Sequence, residues 1–303
     1  MTRLRAESIM PAGFTESDAE AATLGWLETL GYTVRHAPEI AYNVDGGERA
    51  DPGYHDTILQ NRLHRALTRL NPGLPAAAVM DAYRKLLQVE APNLLARNRA
   101  LHRMVVDGVN VEYTRSDGSI AGAQARVIDF ELPEQNDWLA INQYTVIEGQ
   151  QSRRADIVIF VNGLPLGVVE LKNPADEDAT VWKAVEQLEN YQGFIPALFT
   201  YNAALIASDG VQACIGALGA GKEWFKPWRT ISGREDAVPG LPELQVVLAG
   251  VFQPRRFSIS SAISSCSRIS AAARSQRRSR GITRSMPSMS RLRRRCAPPI
   301  SRP

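Results

Sequence analysis

The sequence predicts an α/β protein, a mixed sheet flanked by helices, entered through a mainly helical N-terminal part and followed by a disordered basic tail. Three observations predict it. Apolar residues recur at helical spacing over roughly the first hundred positions, extended runs take over from about residue 109, and a further helical stretch near 178–193 precedes two more short apolar runs.

The first helix is expected over TESDAEAATLGWLETLG (15–31), where Ala22, Trp26, Leu27 and Leu30 share a face, Thr15 or Ser17 can cap the start and Gly31 the end. Further helices are expected at about 54–70, 75–89 and 92–105, each punctuated by Pro or Gly. Strands follow in NVEYTR, AQARVIDFEL, DWLAINQYTVIEG, RADIVIFVNG and LPLGVVELKN, then, beyond the helix at 178–193, in ALIAS and QACIGAL. Between DIVIFV and LPLGVVEL stands Asn162-Gly163, a two-residue hairpin turn in which both residues readily take positive φ.

At 303 residues and 44% hydrophobic, the chain can bury a sizeable core. No apolar run is long enough for a signal peptide or a membrane span, so the cytoplasm is the expected location. Cys214, Cys266 and Cys296 form no CxxC pair and no zinc spacing with the four histidines.

The net charge of +3 hides a division. Residues 255–303 carry 13 arginines and no acidic residue, which leaves 22 basic against 32 acidic side chains over 1–254, a net charge near −10. The basic pI of 8.8 therefore belongs to the tail and says nothing of nucleic-acid binding by the body. From Ser258 the text is almost all Ser, Arg, Ala and Pro and cannot build a packed core. A basic arm for DNA phosphates is one reading; translation out of frame is the favoured one. FSISSAISSCSRI, back-translated with suitable synonymous codons and read from the third base, gives the amphipathic text LDLIRDFIVFED, and the stretch RRSRGITRSMPSMSRLRRR can yield KKIAGYHPFHAVNVAVEAT.

The chemistry gathers at the hairpin. Asp156 opens the first strand, and Glu170 and Lys172 sit two apart on the second, which is the period of one strand face. Reversal at Asn162-Gly163 brings the Asp156 end beside the Glu170 end. Two carboxylates suit Mg²⁺, which activates water for phosphodiester hydrolysis, and a neighbouring lysine can orient that water or stabilise developing charge. The bare pattern also fits solvated charges at strand ends, but Glu170 and Lys172 close an otherwise apolar strand, where unpaired charge is costly. Gln187 and Tyr191, four apart, share a face of the following helix, as would any polar face packed on a sheet.

The segment RRADIVIFVNGLPLGVVELKNP resembles the nuclease signature of type I restriction endonuclease subunits, members of the PD-(D/E)xK superfamily, and Gln187 with Tyr191 is similar to their QxxxY motif. NRLHRALTRLNPGLP, LLARNRALHRMVVDGVNVEY, VIDFELPEQNDWLAINQYTV, LFTYNAALIASDG and WRTISG extend the likeness in the same order. The resemblance implies a restriction-endonuclease-like fold over residues 14–252, between a flexible 1–13 and an unstructured 253–303. It implies Asp156 and Glu170 as Mg²⁺ ligands, the carbonyl of Leu171 as a further ligand and Lys172 as the catalytic lysine, with Gln187 and Tyr191 positioning DNA or that lysine. Glu20 on the first helix is a candidate to join the metal shell, or else an ordinary exposed glutamate. Arg153 and Arg154 are candidates for DNA phosphates, or for pairing with surface carboxylates.

What the resemblance further implies is cleavage of double-stranded DNA, with modification and specificity subunits as partners and an ATP-driven motor to follow. No helicase motif of that motor is present in this chain, and KKIAGYHPFHAV resembles its entry. ATP is thus expected only in the full-length family. GALGAGKEW offers Gly216, Gly221 and Lys222 in P-loop spacing, but Glu223 stands where a Ser or Thr should hold Mg²⁺. Two alternatives remain: a non-catalytic truncated fragment, and a stand-alone DNA-repair nuclease of the same superfamily.

Overall fold

A computed structural model describes residues 15–173 and 180–257. The termini, including the Ser/Arg tail with Cys266 and Cys296, lie outside the described residues, as does the start of the helix expected from 178.

Helix α1 (Glu16–Thr29) begins at a capping box, with the Thr15 side chain accepting from the Asp18 amide and the Asp18 carboxylate accepting from the Thr15 amide at 2.8 Å. It ends where Gly31 takes a φ of 99°. A short strand, β1 (Thr33–His36), leads to α2 (Gln60–Leu70), α3 (Ala76–Leu87) and α4 (Leu94–Asp107), the last capped by Asn93. The hairpin β2 (Val109–Thr114) and β3 (Ile120–Ala125) forms a separate two-stranded sheet. Then come β4 (Trp138–Glu148), β5 (Gln151–Val161), β6 (Leu164–Leu171), α5 (Val181–Phe194), β7 (Ala204–Ser208), β8 (Ala213–Gly216) and α6 (Glu243–Val251).

The main sheet is mixed and six-stranded, in the order β1-β4-β5-β6-β7-β8. Its β1–β4 and β6–β7 pairs are parallel and the rest antiparallel. One face packs against α1, α6 and the helical lobe of α2 to α4, the other against α5 and the segment that follows it. Cover on both faces explains why β6 is buried along its whole length and reads as a continuous apolar run.

The β5–β6 turn is the expected one, with φ of 52° at Asn162 and 82° at Gly163. A Cβ on Gly163 would stand 2.5 Å from the Leu59 carbonyl oxygen, so the turn also lets α2 begin against the hairpin. Asn162 is fully buried, and its amide donates to the Val127 carbonyl at 2.8 Å and to Asn136 Oδ1 at 2.9 Å.

Four expectations shift. The helix expected from 54 starts at Gln60, because Tyr54 takes a φ of 57° and the Asp56 carbonyl accepts from the Arg49 guanidinium. The strand expected over AQARVIDFEL stops at Ala125; beyond it Asp129 Oδ1 accepts from the amides of Glu131 and Leu132, a side-chain turn that bends the backbone while Val127 and Ile128 still reach the core. Strand β1 was not expected, since four residues of mixed exposure carry no readable period. Helix α6 was not expected either, because it is apolar nearly all round. After it, Phe252 and Phe257 are buried, and Phe257 packs edge-on against Trp138 with centroids 5.5 Å apart.

Candidate active site at the open end of the hairpin

Register carries Asp156 and Glu170 to one place. Ile157 pairs with Val169 across β5 and β6, so the next step outward sets Asp156 opposite Glu170. Asp156 Oδ2 accepts from the Leu171 amide at 2.7 Å, which pins the carboxylate against the end of β6. Lys172 Nζ donates to Glu170 Oε1 at 3.0 Å and to the Leu171 carbonyl at 2.8 Å. The Leu171 side chain itself is in the core, so Leu171 meets this cluster through its backbone, the amide toward Asp156 and the carbonyl toward Lys172.

The two carboxylates are buried, Glu170 to 1% exposure and Asp156 to 8%. Burial pushes the Glu170 carboxyl up to about 9, helped by the charge of Asp156 and opposed by Lys172. Burial likewise raises Asp156 to about 6, opposed by the Leu171 amide and by Lys172, with Glu16 and Glu20 adding to the rise. Two acids that both resist ionisation in one buried place want positive charge, and the single Lys172 ammonium does not supply enough. Glu170 Oε2 is buried and accepts no hydrogen bond, and it can bond to the Asp156 carboxyl only while one of the two acids keeps its proton. That orphan oxygen, the Asp156 carboxylate and the Leu171 carbonyl are hard oxygen donors of the kind Mg²⁺ takes, and Mg²⁺ keeps several waters of its own. Among the described residues no group of three or more His, Cys, Asp or Glu side chains gathers at metal-ligand spacing, so two carboxylates are the side-chain donors in hand.

Gln187 and Tyr191 meet as the helical spacing requires. Gln187 Nε2 donates to the Tyr191 hydroxyl at 2.6 Å, and that hydroxyl donates to the Arg154 carbonyl at 3.1 Å. Tyr191 is raised to about 12, by burial first and then by Glu170. The pair thus braces the backbone of β5 two residues before Asp156. Arg153 lies over the Phe194 ring at 4.3 Å and donates to Gln151, so its guanidinium is already engaged. Arg154 is exposed on the same stretch.

Glu20 is half-buried on α1 and is held by two amides, Asn142 Nδ2 at 2.5 Å and Gln143 Nε2. Sequence reading missed these two residues and Glu16. The signals were present: Glu16 precedes Glu20 by one helical turn, and Asn-Gln interrupts an apolar strand. The glycine-rich decoy closes into a three-residue 3-10 turn (Lys222–Trp224), with Lys222 Nζ 5.2 Å from the Trp182 ring centroid.

Residues 13–224 match the family model described as the type I restriction enzyme R protein N terminus. The chain is 36% identical over 242 residues to the type I restriction enzyme HindI endonuclease subunit of Haemophilus influenzae, covering 79% of this chain and 23% of that one. It is 28% identical over 220 residues to the endonuclease subunit assigned to type I restriction enzyme MjaIXP of Methanocaldococcus jannaschii, covering 72% and 20%. The chain therefore spans about a fifth of the length of these relatives. The hairpin that gathers Asp156, Glu170 and Lys172 lies wholly within the matched segment, and the chain belongs to the family of type I restriction enzyme R protein N-terminal regions.

Proposed function

We propose that this chain is the Mg²⁺-dependent nuclease module of a type I restriction endonuclease subunit and cleaves the backbone of double-stranded DNA. The observation that carries the reading is the buried pair Asp156 and Glu170, with one Glu170 oxygen unpartnered and Lys172 bridging Glu170 to the Leu171 carbonyl. Asp156, Glu170 and the Leu171 carbonyl would hold the ion. Bound there, Mg²⁺ supplies Lewis-acid activation of water and neutralises charge gathering on the phosphate. Lys172, 17% exposed, keeps its ammonium within the cluster against Glu170 and the Leu171 carbonyl, where it would orient the attacking water and stabilise the developing negative charge. Tyr191 and Gln187 hold the β5 backbone so that Asp156 keeps its aim. Arg154, exposed two residues before Asp156, and Arg153, half-buried with its guanidinium over the Phe194 ring, would meet DNA phosphates.

On this reading the choice of DNA site belongs to specificity and modification subunits, and ATP-driven translocation to parts of the longer relatives outside the matched fifth. The setting is cytoplasmic. The test is nicking of supercoiled plasmid by the full 303-residue chain in Mg²⁺ and in EDTA, beside Asp156→Ala and Lys172→Ala. Nicking that needs Mg²⁺ and falls at least about 100-fold in both variants supports the assignment, in keeping with the weight of such groups. Equal nicking by all three proteins defeats it.

A further inference from the structure

Strands β4 and β5 run on together past the carboxylate cluster. Their ladder reaches Glu148 opposite Gln151, whereas the pairing of β5 with β6 ends at Ile157 and that of β4 with β1 at Asn142. The residues of β5 from Gln151 to Ala155 therefore form one side of a two-stranded arm beyond Asp156. With about 3.4 Å for each of these residues, the arm is roughly 17 Å long. It starts at a step where Gln143 takes a φ of 53° and the facing pair of Gln143 and Asp156 is skipped in the ladder.

A two-stranded ribbon on its own is marginal in water, and this one is fastened on one face, along both edges and at its tip. The face toward α5 carries Tyr144, Val146 and Ala155 into the core, and Arg153 continues it with its guanidinium 4.3 Å from the Phe194 ring centroid. On the β5 edge the Tyr191 hydroxyl donates to the Arg154 carbonyl at 3.1 Å. The β4 edge is covered by the segment before α2: Arg49 donates to the Thr145 carbonyl, the Ile147 amide to the Tyr54 carbonyl and the His55 ring to the Ile147 carbonyl, each at 2.9 Å. At the tip, Glu148 accepts from the Ala197 amide at 2.9 Å.

The remaining face is uncovered among the described residues. Thr145 stands opposite Arg154 and Ile147 opposite Ser152, so strand alternation turns all four away from α5, and Ser152 and Arg154 are exposed. Among the described residues no carboxylate pairs with Arg154. Residues 1–254 carry a net charge near −10, so most of the surface repels a polyanion, and this row of one cation and two hydroxyls is an exception.

We infer that the uncovered face of the arm is a rail for the DNA backbone, on which one strand runs outward from Asp156 and Glu170 with Arg154, Ser152 and Thr145 contacting its phosphates. At about 3.4 Å per nucleotide along one strand, the arm follows roughly five of them. The choice of DNA as occupant rests on the nuclease reading above. Phosphate contacts fix register and orientation, which a swinging hairpin could not do, and the fastening of the arm from behind meets that need. An acidic protein surface would also suit one arginine, but the rail is continuous with the carboxylate cluster, which a substrate backbone has to reach.

The test is the affinity of the full chain for a short fluorescein-labelled duplex, read by anisotropy across a range of salt in EDTA, where no cleavage occurs. Ser152→Lys adds a cation to the rail and should steepen the slope of log affinity against log salt by about 0.9, and Arg154→Ala should flatten it by the same amount. Ser152→Glu should weaken binding several-fold at low salt. Gln124→Lys, at an exposed position of β3 in the separate two-stranded sheet, should keep the wild-type slope. Wild-type slopes in Ser152→Lys and Arg154→Ala, or an equal shift in Gln124→Lys, would overturn the rail, and nicking that needs Mg²⁺ and Asp156 would leave the nuclease reading standing. Unchanged DNA binding by Ser152→Glu together with loss of self-association in sedimentation would give the face to a second copy and overturn the rail as well. Nicking that ignores Asp156, with the slopes shifted as expected, would sink the nuclease reading and keep DNA on the rail.

Discussion

Replacing Glu170 by glutamine should stabilise the metal-free protein while destroying its response to Mg²⁺. Glu170 is 1% exposed and its carboxyl is raised from an ordinary 4.5 to about 9. Between those values the native chain keeps a proton that the unfolded chain has released. Stability is therefore fullest below pH 4.5 and falls as pH rises toward 9, at about 1.4 kcal/mol per unit. By pH 7 that amounts to roughly 3 kcal/mol, and glutamine, which has nothing to titrate, avoids it. Glutamine also places an amide N–H group where the buried Glu170 Oε2 accepts no hydrogen bond, a cost of about 1 kcal/mol. The net gain near pH 7 is about 2 kcal/mol, or some 4–8 °C in melting temperature for a domain of this size. Calorimetry or fluorescence melting in EDTA reads it directly. The advantage should shrink at pH 5, and added Mg²⁺ should raise the melting temperature of wild type but not of Glu170→Gln. A variant that melts at or below wild type at pH 7 to 8, with no narrowing of the gap at pH 5, would refute the reasoning.

Other consequences follow from the same geometry. Ion binding must displace protons from Glu170, about 9, and from Asp156, about 6, so Mg²⁺ affinity measured by titration calorimetry should rise close to tenfold per pH unit between pH 6 and 8, with proton release. A flat profile would mean the carboxyls are already ionised. Tyr191→Phe removes the bonds to Gln187 and to the Arg154 carbonyl, and thermal melts should show a loss of about 1 kcal/mol, with nicking reduced more than stability alone explains. Gly163→Ala puts a Cβ 2.5 Å from the Leu59 carbonyl at a φ of 82°, and chemical denaturation should show a loss of at least about 2 kcal/mol.

Much of the site was legible because it depends on rules with short reach. The Asn162-Gly163 turn and the two-residue spacing of Glu170 and Lys172 told which strand ends meet, but the exact pairing did not follow from the turn, because a register shift between Ile159 and Phe160 moves the partner of Asp156 from Val169 to Glu170. The four-residue spacing of Gln187 and Tyr191 put them together by the helical period. What escaped the sequence depends on tertiary contact. The left-handed step at Gln143 has no glycine to announce it, and its amide finds Glu20 from 123 residues away in the chain. Strand β1 exists because β4 offers a free edge, and α6 because the sheet offers an apolar face, neither of which a local period reveals. The stacking of Arg153 on the Phe194 ring likewise joins residues 41 apart in the chain, beyond the reach of any local period.

A nuclease built on this hairpin needs Asp156 and Glu170 to share one divalent ion. Crystals of the chain grown or soaked with Mn²⁺ and measured at the manganese edge test this most directly. The expected result is an anomalous peak about 2.1–2.2 Å from a carboxylate oxygen of each residue, with Glu170 Oε2 now partnered. A peak elsewhere on the protein, with Asp156 and Glu170 unmoved and ion-free at saturating Mn²⁺, would contradict it.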